Sequence, residues 1–142
     1  MQQVLEPRVR SLLETVPVGV VATQRRDGRI RQSTVYFVLD GHTIWISTEA
    51  ARAKASDVGR TGWASLCVVS PAAPYASVTV EGRASVQETD IAPMTSRILA
   101  RISGGEAPEL TESDLAAAGR VLLRLDVEGV YGASHIPEEE SR

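Results

Sequence analysis

The sequence predicts a mainly β protein, an antiparallel barrel of six strands with helices on its periphery, and three observations carry that expectation. Valine is as frequent as alanine, seventeen of each among 142 residues, and a side chain branched at Cβ fits a pleated strand better than a helix. Several segments alternate apolar and polar residues with the period of two that a half-buried strand requires. Asp27-Gly28 and Asp40-Gly41 fall between such segments and read as hairpin turns.

Taken in order, Leu5, Val9, Leu12, Leu13 and Val16 recur at helical spacing with Pro7 in the first turn, predicting a helix over 5–16 that ends near Pro17. Val18 to Arg25 and Ile30 to Leu39 form the first hairpin, and Thr43 to Thr48 follows as a third strand, with Ile44 and Ile46 on one face and Trp45 on the other. Alanine-rich Ala50 to Val58 reads as a helix stopped by Gly59 and Gly62. Trp63 to Ser70 is strand four, and Pro71-Ala72-Ala73-Pro74 a rigid loop. Ala76, Val78, Val80, Ala84 and Val86 then alternate with polar residues along a long fifth strand. Ile91, Met94, Ile98 and Ile102 mark a helix capped by Asp90 and closed by Gly104-Gly105, and a further helical turn or two opens at Thr111. Val121 to Glu128 supplies the sixth strand. The expected organisation is one domain with a barrel over 18–131 and an acidic tail at 137–142.

Composition excludes several classes of function. A net charge of −3 gives no global attraction to nucleic acid or to an anionic membrane. A single cysteine, Cys67, forbids an internal disulfide or a cysteine metal cluster and sits mid-strand as an inert core thiol. The start has neither the basic nor the apolar region of a signal peptide, and no apolar run approaches ~18 residues, so a cytoplasmic protein that neither binds nor spans a membrane is expected. The basic side chains are fourteen arginines and one lysine, Lys54.

Elimination narrows the chemistry. His42 lies in a turn and His135 near the tail, Asp126 and Glu128 fall on the polar side of an alternating strand, and no Gly-x-Gly-x-x-Gly, phosphate-loop or His-Glu-x-x-His motif is present. What remains is Ser47-Thr48-Glu49-Ala50-Ala51-Arg52-Ala53-Lys54. A strand ending in two hydroxyls and entering a helix gathers hydroxyls, backbone amides and two cations around one concavity, which suits a phosphate. Spacing alone leaves the plainer reading open, in which Thr48 caps the helix and both cations are solvated.

The ordered set Val21-Ala22-Thr23, Asp27-Gly28, Gln32-Ser33-Thr34-Val35-Tyr36-Phe37, Asp40-Gly41 and Ile44-Trp45-Ile46-Ser47-Thr48 resembles the split-barrel flavin and deazaflavin oxidoreductases, relatives of pyridoxamine 5′-phosphate oxidase. Ser65-Leu66, Pro74-Tyr75 and Val80-Glu81-Gly82-Arg83 extend the likeness over roughly residues 16 to 90. The resemblance implies a cofactor site in which Ser47, Thr48, Arg52 and Lys54, with Ala53 between the cations, hold the cofactor phosphate. Gln32, Ser33, Thr34 and Val35 border its ring with their backbone, and Pro74 and Tyr75 reach the cofactor of the other subunit in a homodimer. Ala55-Ser56-Asp57-Val58 and Thr61-Gly62-Trp63 depart from the family pattern, and Trp63 reads as a strand-end aromatic covering the barrel.

The implied activity is hydride transfer between a flavin-type cofactor and a small electron-poor organic substrate, with no side chain assigned as catalytic and no metal. The cofactor expected is the deazaflavin coenzyme F420, whose oligoglutamate tail suits Arg25, Arg26 and Arg60, with FMN as the alternative. A carrier that binds without turnover would share the same barrel and cradle. Oxidation of pyridoxamine phosphate fits less well, because the chain has no C-terminal basic and aromatic segment to grip that substrate.

Overall fold

The computed structural model describes residues 5–136; the acidic tail expected at 137–142 lies outside them. Ten elements follow in chain order: α1 (Pro7–Thr15), β1 (Val18–Gln24), β2 (Ile30–Asp40), β3 (Thr43–Glu49), α2 (Ala53–Thr61), β4 (Trp63–Val69), β5 (Ser77–Gln87), α3 (Ala92–Ser103), α4 (Glu112–Ala117) and β6 (Arg120–Ser134). The six strands close into an antiparallel barrel in the order β1-β2-β3-β6-β5-β4. Both expected hairpin glycines, Gly28 and Gly41, adopt the positive φ that Asp-Gly turns require.

Alternation along the strands builds the core. Val21, Val35, Phe37, Ile44, Ile46, Leu66, Val80, Leu123 and Leu125 point inward and are buried together with Val9 and Leu13 of α1 and Val58 of α2. A second, smaller core lies outside the barrel, where α3 and α4 cover Val38 of β2 and Leu122 of β6 with Ile91, Ile98 and Leu115. Arg101 of α3 ties this layer to α1. Its guanidinium donates to the carbonyls of Leu13, Glu14 and Val16 at the α1 C-terminus and to that of Phe37, and lies 4.9 Å from the Phe37 ring centroid.

Four local expectations are corrected. The second helix runs over Ala53–Thr61 rather than 50–58, because Ala50 and Ala51 are spent in a turn fastened by the Ala50 amide to the Gly119 carbonyl. Gly59 lies within that helix, and Gly62, left-handed, is the residue that ends it. Asp90 does not cap α3: its own φ is positive, and the carboxylate of Glu112 accepts from the amides of Ile91 and Ala92 instead. Strand six is longer than expected, reaching Ser134 through Gly129.

The barrel is unevenly sewn. β2 pairs with β1 over Ile30–Tyr36, but with β3 only over Phe37–Asp40. β3 pairs with β6 along its whole length, whereas its pairing with β2 stops at Ile46. Upstream of Phe37 and downstream of Ile46 the two strands part, which leaves a split in the barrel wall.

On the far wall, the β5–β6 register shifts between Glu81 and Gly82, and a Cβ at Gly82 would overlap the Asp126 carbonyl oxygen and lie 3.0 Å from the Glu128 nitrogen. This close approach requires glycine. Gly82→Ala is therefore expected to destabilise the fold by about 3 kcal/mol, read as a lower urea midpoint with an unchanged m-value.

Candidate functional site

The split is bordered by the backbone of residues 32–36 on β2 and by the end of β3, which leads into α2. Gln32 and Thr34 are exposed on the outer face, while Val35 is buried in the core and enters the site through its backbone alone. A strand edge without a neighbouring strand presents amide donors and carbonyl acceptors in a row, a surface suited to the edge of a planar heterocycle with alternating donors and acceptors.

Ser47 and Thr48 do not share one concavity. Successive side chains of a strand face opposite ways, so Thr48 turns inward beside Ile46 and is 4% exposed, while Ser47 lies on the outer face. Nor does Thr48 cap the helix, whose N-cap position is held by Arg52 with no side-chain cap bond. Ser47 instead gains a partner that the sequence reading missed. Arg120 opens β6 directly opposite Glu49, and its Nη2 donates to Ser47 Oγ at 2.6 Å. Glu49 is shared between Arg120 at 3.6 Å and Arg52 at 3.8 Å. Lys54 joins this cluster, its ammonium pKa lowered first by burial and then by the charges of Arg52 and Arg120, against an opposing effect of Glu49. Three cations facing one carboxylate form a local excess of positive charge in an acidic chain.

Ala53 faces a second basic region. A cavity of about 340 Å³ is lined by Arg25, Arg26, Asp27, Arg31, Ala53, Ser56, Asp57 and Arg60. Arg25 pairs with Asp27 at 2.8 Å. The carboxylate of Asp57, a residue only 3% exposed, accepts from Arg31 Nε at 2.8 Å, from Thr23 Oγ1 at 2.9 Å and from Arg60 at 3.4 Å. Arg60 also donates to the Gln24 carbonyl. Burial pushes the Asp57 carboxyl pKa up, but the hydrogen bonds from Arg31 and Thr23, the charge of Arg31 and the bond from Arg60 outweigh it and hold the group below its ordinary value.

Pro74 and Tyr75 lie apart from both clusters, on the β4–β5 loop, whose base is fastened by the Ser70 amide to the Ala76 carbonyl and the Ala76 amide to Ser70 Oγ. Tyr75 is 59% exposed. Elsewhere on the outer surface of the barrel Val20 of β1, Tyr36 of β2, Val69 of β4 and Tyr131 of β6 are exposed, and Cys67 lies opposite Val20. Cys67 is thus half-buried on the outer surface rather than in the core, since Leu66 and Val68 take the inward positions. Trp63 is half-buried at the start of β4, opposite Arg83.

A family model described as pyridoxamine 5′-phosphate oxidase matches residues 5–134. The chain belongs to that family. Solved structures with the same fold include an F420 reductase (22% identity, TM-score 0.74, covering 90% of this chain and 98% of that one). A conserved hypothetical protein from Mycobacterium tuberculosis (18%, 0.76, covering 100% and 97%) and the heme storage protein HutZ from Vibrio cholerae (22%, 0.67, covering 91% and 94%) share it as well. At these identities the likeness is one of fold. No curated protein matches the chain.

His42 lines a separate polar cavity with Asp40, Thr43, Arg83, Arg124, Asp126 and Glu128, and no group of three or more metal-ligating side chains occurs among the described residues. No helix there is long and apolar enough to cross a membrane.

The Asp57 network makes a pH prediction. Because the folded carboxyl pKa is depressed, its stabilisation is fully present above the unfolded value and is lost as pH falls through the folded one. Thermal melts from pH 7 downward should show a fall in Tm in the acidic range that is shallower in Asp57→Asn, whose Tm at pH 7 is already lower.

Proposed function

We propose that the protein is an oxidoreductase that binds coenzyme F420 in the split and passes hydride to a small, electron-poor organic substrate. The observation that carries this reading is the pair of cationic regions flanking an edge of β2 that no described strand pairs. FMN carries a single anionic group and would employ one of them. A deazaflavin with a phosphodiester and a string of glutamate carboxylates has anions for both, the phosphate at Ser47, Lys54, Arg52 and Arg120 and the tail at Arg25, Arg26, Arg31 and Arg60.

When bound, the reduced cofactor supplies the hydride. The chain's own part is to bind, orient and shield. Backbone groups of 32–36 fix the ring plane, and the charge-assisted contacts at the β3 end fix its distance along the slot. A second copy of the chain is expected to cover exposed apolar side chains on the outside of the barrel, among them Val20, Tyr36, Val69 and Tyr131. Tyr36 belongs both to that set and to the strand bordering the split, and the projecting Tyr75 would reach across. This arrangement makes the site a property of a homodimer.

Fluorescence titration tests the reading. F420 should bind more tightly than FMN, and Lys54→Ala should weaken F420 by roughly tenfold or more through loss of a charge-assisted contact of about 1.5 to 3 kcal/mol, with an unchanged melting curve. Absence of binding by either cofactor would remove the proposal. Tight binding with no hydride transfer to a panel of enones and quinones would assign the chain to the carriers.

A further inference from the structure

Asp57 sits on the floor of the Arg25, Arg26, Arg31 and Arg60 cavity and carries the charge that an incoming anion should avoid. Its geometry explains why a carboxylate stands there. Arg31 comes from β2 and Arg60 from α2, so the two guanidiniums belong to different walls. Asp57 Oδ2 receives Arg31 Nε and Oδ1 receives Arg60, while Thr23 from β1 fixes the carboxylate from inside the barrel. Among the described residues Arg31 uses only Nε in this contact, leaving its terminal nitrogens to the cavity, whereas Arg60 donates to Asp57 through Nη1 and Nη2 and to the Gln24 carbonyl through Nη2, leaving Nε and one hydrogen of Nη1.

We propose that Asp57 is a positioning residue for anion recognition: it fixes two arginines from separate elements so that their remaining donors converge on the carboxylates of the cofactor tail. The proposal rests on the F420 reading and deepens it, giving the second cationic region a built floor. The fixed arrangement reduces the rotamer freedom that two free arginines would surrender on binding.

The sign of one substitution separates positioning from bystander charge. If Asp57 acted only through its charge, Asp57→Asn would remove repulsion and tighten anion binding. A positioning carboxylate gives the opposite result. The experiment titrates wild type, Asp57→Asn and Asp57→Glu, each confirmed folded by circular dichroism at the working temperature, with F420 and with the same deazaflavin stripped of its glutamates. The affinity gained from the tail should fall by roughly tenfold in Asp57→Asn, the scale of one charge-assisted hydrogen bond, while affinity for the tailless compound stays within twofold. Asp57→Glu keeps the charge but displaces the carboxylate by a methylene, and it should lose the same gain. Tighter or unchanged tail binding in Asp57→Asn overturns the proposal, as does an equal loss for both ligands, which would mark a general role in seating α2. A wild-type protein that binds the tailless compound but gains nothing from the tail overturns the positioning role while leaving the ring and phosphate site standing. Wild type that binds neither overturns the F420 reading itself.

Discussion

The parting of β2 from β3 is the constraint on which the rest of the structure depends. β2 is held by β1 along Ile30–Tyr36 and by β3, on its other side, along Phe37–Asp40, so each half of the strand is paired along one edge only. A barrel without this parting would satisfy its strand backbone internally and present no strand edge to a ligand. The long β5–β6 seam, with its bulge at Gly82, and the outer layer of α3 and α4 hold the remaining wall rigid. An open edge is therefore framed by strands paired along their other edges.

Charge is distributed to match. The chain is acidic overall, yet cations collect in two places near α2. One cluster joins Ser47, Arg52, Lys54 and Arg120 across the β3–β6 seam; the other joins the β1–β2 hairpin to the middle of α2. Partly buried charges of this kind are screened by salt less than an exposed field would be. The buried Asp57 links the second cluster to the barrel interior through Thr23, making cavity and core one mechanical unit.

Much of this was legible in the sequence. Period-two alternation and the Asp-Gly turns gave six strands in their right places, and the split-barrel expectation agrees with the family to which the chain belongs. What escaped has a common cause, partnership across long separations. Arg120 meets Ser47 only through the β3–β6 register, 73 positions apart, and Glu112 caps α3 from the following helix. Arg31 reads as one more polar residue on an alternating strand until Asp57 is seen beside it. The pairing of the Ser47 and Thr48 hydroxyls, by contrast, was an error correctable without a structure, because neighbours on a strand face opposite ways.

The central claim is that the free edge of β2 receives the planar ring, and hydrogen exchange reads that edge directly. With F420 added, peptides spanning residues 31–36 should show slowed amide exchange, while strand β5, paired on both sides, stays unchanged. Protection confined to other surfaces, with residues 31–36 exchanging as fast as in the free protein, would contradict the account.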